Sequence, residues 1–273
     1  MKFAICNETF QGWNWEQTCR FTAELGYDGI EIAPFTLAED IRTLDAAQRR
    51  EIRRTAERAG LEVVGLHWLL VSPKGLSVTD PDPAVRQATA DYLVALTDFC
   101  GDVGGRVMVF GSPKQRQIPD GETAETAAAR FMGSLRPALD RAEAHGITLC
   151  LEPLPPPEAN FLLTLEEAAA LMRRLNHPAA KTIFDVKSAS SEGRPLPDLI
   201  ANYAPHIAHV HANDANRRGP GFGETDFQPI LSALQAAGYV GYVSVEVFDY
   251  SPDPETIATQ SLRYLRQCLP TAS

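Results

Sequence analysis

The chain has 273 residues, 44% of them hydrophobic and 22% charged, which is the length of one α/β barrel and the composition of a folded domain, and it excludes disorder as the ground state. A formal charge of −10 disfavours a surface built for nucleic acid or an anionic membrane, because either partner calls for a basic face. The five cysteines (Cys6, Cys19, Cys100, Cys150 and Cys268) are scattered without a CxxC pair, which argues against a disulfide framework and against a thiolate zinc site.

Short apolar runs alternate with longer amphipathic segments from the first residues onward. Lys2–Cys6 reads as a strand, Trp15–Leu25 as a helix closed by Gly26, and Gly29–Ile32 as a second strand. Residues 45–59 read as a helix stopped by Gly60, 62–67 as the third strand, and 82–103 as a long helix ending at Gly104-Gly105. Residues 106–110 form strand four, followed by a helix within 121–145. Strand five is 147–152, and the helix 164–175 starts with Thr164 and Glu167 at capping-box spacing. Strand six (181–185), a helical stretch (197–203), strand seven (207–211), a helix (226–237), strand eight (242–246) and a last helix (253–268) complete the pattern.

Eight strand–helix pairs predict one α/β domain over residues 1–273, a single (β/α)8 TIM barrel. The strands are almost wholly apolar, as a parallel sheet buried on both faces requires. An open doubly wound sheet would carry a Gly-rich fingerprint after strand one, and that position reads CNETFQGW. The N-terminus lacks the layout of a signal peptide and no run reaches the roughly 18 apolar residues of a membrane span, so a cytoplasmic protein is expected.

Polar residues gather at the C-terminal ends of the strands, the face on which barrels of this class place their active sites. Strand one leads to Asn7 and Glu8, strand three to His67 and Trp68, strand five to Glu152, strand six to Asp185, strand seven to His211 and strand eight to Glu246. Three carboxylates meeting one imidazole would repel one another, and desolvating them is costly. A divalent cation resolves both problems, and an oxygen-rich donor set suits Mn²⁺ or Mg²⁺, with Co²⁺ as a further option. Glu152, Asp185, His211 and Glu246 are therefore the expected ligands. His67 and Trp68 are expected to line the pocket, with Asn7 and Glu8 as further pocket groups. Glu31 in strand two is expected to pair with a basic residue. His209 is expected to be a satisfied core histidine on the face opposite His211, and Cys6 and Cys150 to be small apolar fillers.

The segments LEPL around Glu152, IFDVKSAS around Asp185, HVHANDANRRGPGFGETDF around His211 and VSVEVF around Glu246 are similar to those of xylose-isomerase-like barrels. That family includes ketose 3-epimerases of the tagatose/psicose type, hydroxypyruvate isomerases, inosose dehydratases and apurinic endonucleases. The resemblance covers essentially the whole chain and implies one Mn²⁺-like ion on the four residues, with Glu152 and Glu246 doubling as acid/base groups. It also implies that Arg217 and Glu158 contact substrate hydroxyls. The epimerases carry a histidine where this chain has Ser188, with Lys187 beside it, so Ser188 and the loops 69–79 and 112–119 are expected to set substrate choice. Homo-oligomers are frequent among relatives and are a further expectation here.

The chemistry so implied is removal of a proton next to a carbonyl through a metal-stabilised enediolate, giving isomerisation or epimerisation of a keto-sugar or polyol. Elimination from the same species would make the protein a lyase or dehydratase. A phosphodiesterase of the apurinic endonuclease type is disfavoured by the negative charge, and a non-catalytic sugar-binding barrel would need no metal. Arg116, Lys114, Lys187, Arg217 and Arg218 are candidates for phosphate contact should the substrate carry one.

Overall fold

A computed structural model describes residues 1–269. Eight parallel strands close into a barrel in chain order, β1 (Lys2–Cys6), β2 (Gly29–Ile32), β3 (Glu62–Leu66), β4 (Val107–Phe110), β5 (Thr148–Leu151), β6 (Ala180–Asp185), β7 (Ile207–Ala212) and β8 (Tyr242–Val245). The ring closes through β8 on β1, with Lys2 opposite Tyr242 and Ile5 opposite Val245. The expected (β/α)8 TIM barrel is thus the observed architecture.

Helices α1 (Trp15–Leu25), α2 (Ala46–Ala59), α3 (Pro83–Val103), α4 (Ala124–His145) and α5 (Leu165–Leu175) follow the first five strands. A five-residue helix, α6 (Val186–Ser190), was not legible from periodicity and starts directly on β6; α7 (Leu196–Tyr203), α8 (Phe227–Ala236) and α9 (Pro254–Gln267) complete the shell. Several helices begin one residue later than the pattern predicts, for one reason. Asp45, Asp82, Thr164, Asp226 and Asp253 stand just outside as N-caps, each accepting a backbone N–H from the first turn. Such a cap contributes about 1 kcal/mol. Thr164 accepts the Glu167 N–H, while the Glu167 carboxylate takes the N–H of Leu163, so the expected box closes one residue further out.

The main apolar core lies between sheet and helices. A smaller apolar cluster of Val109, Cys150 and Ile183 joins β4, β5 and β6. Strands β3 and β4 approach so closely that a Cβ on Gly65 would collide with the Val107 carbonyl. All five cysteines are buried and free. Among the described residues no helix is long and apolar enough to cross a membrane.

Candidate metal centre

Each of the four expected ligands comes from the C-terminal end of a different strand: Glu152 follows β5, Asp185 ends β6, His211 lies in β7 and Glu246 follows β8. Their donor atoms all lie within 4.8 Å of one another, and the residues are 7%, 3%, 0% and 2% exposed in that order. His211 Nε2 lies 3.2 Å from Glu31 Oε1. Its other nitrogen, Nδ1, lies 3.1 Å from Glu246 Oε2 and 3.9 Å from Glu152 Oε1, yet has no hydrogen-bond partner among the described residues.

Asp185 is gripped from two sides. Its Oδ1 accepts the Ser188 N–H at 2.6 Å as the N-cap of α6, and its Oδ2 accepts from Asn213 Nδ2 at 2.6 Å. The same Asn213 amide lies 3.4 Å from Glu246 Oε2, and its Oδ1 accepts the Lys187 N–H at 2.8 Å. A carboxylate oxygen has two acceptor positions, so each of these oxygens keeps one free. A divalent cation fits these residues on two grounds. Three buried carboxylates crowd one small space, and the one orphaned imidazole nitrogen faces them. The donor set is hard, as Mn²⁺, Mg²⁺ or Co²⁺ prefer.

The two glutamates differ. Burial, then Glu246 and Asp185, push the Glu152 carboxyl up to about 8. Against it sits Gly111, where a Cβ would collide with Glu152 Oε2. For Glu246 burial also works upward, but His211 and then His67 outweigh it and hold the carboxyl well below the usual range. Glu246 Oε1 accepts from Trp68 Nε1 at 2.9 Å and lies 3.3 Å from His67 Nδ1. His67 Nε2 is in turn 2.9 Å from Glu8 Oε2, so one imidazole bridges two carboxylates through opposite edges.

The structure brings His67, Trp68 and Glu8 to the cluster, as the strand-end pattern predicts. Trp68 has a left-handed backbone (φ 52°) and stacks over Phe248 at 6.3 Å. The Lys187 ammonium sits 4.8 Å from the centre of that Phe248 ring and 2.6 Å from Glu158, and the exposed Arg217 lies 5.7 Å from the same ring. Ser188 is buried and its hydroxyl has no hydrogen-bond partner among the described residues.

Other expectations need correction. Arg116 is no phosphate contact: it is fully buried, donates to the carbonyls of Glu152, Phe110 and Leu162, and so ties the end of β4 to the segment after β5. Asn7 spends its side chain on Thr36 and the Ala33 N–H. His209 does not face away from His211, since residues two apart on a strand share a face, and both meet Glu31. Glu31 accordingly pairs with histidines, not with a lysine or arginine. Cys6 is more than filler, because its Sγ lies 3.7 Å from Glu31 Oε2 and 3.6 Å from Ser244 Oγ. Asn213 was missed; the only sequence signal was its place two residues past His211, on the same face of the chain.

The sequence profile of the family described as "Xylose isomerase-like TIM barrel" matches residues 19–268. A fructoselysine 3-epimerase of Escherichia coli O157:H7 is 23% identical over 265 residues, 93% of this chain and 94% of its own length. A D-psicose 3-epimerase of Agrobacterium fabrum is 27% identical, over 86% and 82% of the two chains. A 3-dehydro-D-guloside 4-epimerase of Escherichia coli is 26% identical, over 98% and 100%. The crystal structure of a D-psicose 3-epimerase in the presence of D-fructose superposes with a TM-score of 0.87 at 22% identity, covering 98% of this chain and 99% of that one, which shows the shared fold. With its profile match spanning nearly the full barrel, this chain belongs to the xylose isomerase-like TIM barrel family.

Proposed function

We propose that this protein is a divalent-metal-dependent isomerase or epimerase of keto-sugars or polyols, a single cytoplasmic domain with Mn²⁺ as the best-fitting ion. The observation that carries this reading is the buried set of three carboxylates around the unpaired Nδ1 of His211. The relatives support it, since those named above are sugar epimerases.

Glu152, Asp185, His211 and Glu246 would hold the cation. Bound there, it would stabilise the negative charge that develops on substrate oxygen as a neighbouring C–H bond breaks. Glu152 is the group suited to take that proton, because among the described residues no hydrogen-bond donor occupies its carboxylate oxygens. Glu246 approaches from the β8 side and is the second acid/base group. Return of a proton from the opposite face inverts the carbon; return from the same side to the neighbouring carbon moves the carbonyl. Arg217 and Lys187 would donate to substrate oxygens, and Glu158 and Ser188 would accept from or donate to hydroxyls. Trp68 and Phe248 form an apolar wall that excludes water.

Deuterium uptake from D₂O into a panel of ketoses, followed by NMR with Mn²⁺-loaded protein, tests the reading. Exchange at a carbon next to the carbonyl is expected, and it should vanish on chelation and in Glu152→Gln. Bound Mn²⁺ with no exchange into any ketose or keto-polyol would refute it.

A further inference from the structure

Beneath the cluster lies a group of side chains that the proposed reaction never touches. Glu31, on β2, is 0% exposed in the middle of the barrel. Its Oε1 is 3.2 Å from His211 Nε2 and its Oε2 is 2.9 Å from His209 Nε2. Both histidines are on β7, with ring centroids 5.1 Å apart and planes at 80°, so one carboxylate meets the two rings edge-on. Two register shifts help to place these groups. One falls between Ile30 and Glu31 on β2, and the other, between Thr182 and Ile183, sets His211 opposite Asp185. Bulges of this kind re-aim side chains next to active sites.

A carboxylate in a barrel interior, which is ordinarily filled by branched apolar side chains, is costly unless it is fully paired. Here its partners are two imidazoles and a thiol, and among the described residues no lysine or arginine reaches it. A neutral imidazole carries one N–H and one lone pair. If His211 gives its Nε2–H to Glu31, its lone pair must sit on Nδ1, the atom that faces Glu152 and Glu246.

We propose that Glu31, braced by His209, is a positioning residue that holds His211 in the Nε2–H tautomer and aims Nδ1 at the cation. This rests on the metal reading above and extends it to a residue outside the ligand set. Outer carboxylates of this kind also raise the basicity of the ligating ring, and their loss costs about 10- to 100-fold in metal affinity. Gln at position 31 keeps the shape and can still accept from His211, but it lacks the charge and offers a competing N–H.

The test measures Mn²⁺ binding by competition with a fluorescent chelator, together with the His211 tautomer by long-range ¹⁵N–¹H correlation in Mg²⁺-saturated protein. In Glu31→Gln the Kd for Mn²⁺ should rise about 10- to 100-fold. In wild type His211 should show a protonated Nε2, and in the variant this single tautomer should be lost. Wild-type affinity with an unchanged tautomer in Glu31→Gln would overturn the inference and leave the metal reading standing. Failure of the wild type to bind Mn²⁺ would overturn both. Should Glu31→Gln not fold, the wild-type spectrum decides alone: His211 protonated at Nδ1 in the Mg²⁺-loaded protein would sink the proposal.

Discussion

Two glutamates border the same cluster and live in opposite surroundings. Two residues before Glu152, on the same face of the chain, comes Cys150, packed with Val109 and Ile183 in a small apolar cluster. Two residues before Glu246 comes Ser244, 3.6 Å from Cys6, with Glu31, His209 and His67 around them. Among the described residues the apolar side supplies no donor, so burial and neighbouring carboxylates push the Glu152 carboxyl up to about 8. The polar side supplies the Trp68 indole N–H and the His67 ring, with the His211 ring alongside, and holds the Glu246 carboxyl well below its usual range. One edge of the metal-free site thus holds a carboxyl that keeps its proton, and the other a carboxylate that is ionised at rest. A carboxylate's role is set by the donors within reach as much as by its place on the strand.

Neutralising each glutamate in turn separates their roles most directly. Glu152→Gln should lower turnover by about 10²- to 10⁴-fold, the usual worth of a positioned general base, while Mn²⁺ is still retained. Glu246→Gln should lose the ion itself, because it removes the ligand that the surrounding donors keep charged. Metal content by atomic emission beside the exchange rate separates the two outcomes. Equal ion retention in both variants would erase the proposed division of labour.

A smaller effect follows from the raised Glu152 carboxyl. Cation entry must displace that proton, so Mn²⁺ affinity should fall about tenfold for each pH unit below 8. A carboxyl raised in the folded state contributes stability below its unfolded value of 4.5 that is lost as pH rises through about 8. Metal-free protein should therefore melt lower at pH 9 than at pH 6, and saturating Mn²⁺ should remove the difference. Chelator competition and thermal melts at several pH values check both.

On the Glu246 side, Trp68→Phe removes the indole N–H that donates to Oε1. A hydrogen bond to a charged group contributes about 1.5–3 kcal/mol, so the variant should lose stability of that order. Mn²⁺ should also bind more weakly, while Glu152→Gln should leave the apo melting temperature equal or higher near neutral pH. The mildest change is Ser188→His, which should alter relative rates among ketoses without displacing the ion, read as kcat/KM across a substrate panel. An unchanged ranking would remove Ser188 from the groups that set specificity.

The strand and helix order, the eight-fold count and the polar strand ends were legible in the sequence because each is a local property. Apolar runs bounded by glycine mark strands, Asp and Thr caps mark helix starts, and the residue after an apolar run lands at the barrel mouth. Glu152, Asp185, His211 and Glu246 could be singled out on that basis, as could Trp68 and His67. Partner choice was not local. Glu31 meets His209 and His211 only because the sheet closes β8 on β1 and brings β2 within reach of β7. Arg116 reads as a loose loop cation until the ends of β4 and β5 and the loop before α5 supply three carbonyls to bury it. Local residue pattern is enough to name the groups at the mouth of the barrel. Which carboxylate is supplied with donors and which is left without depends on the closed barrel, because desolvation and charge act through space between residues far apart in the chain.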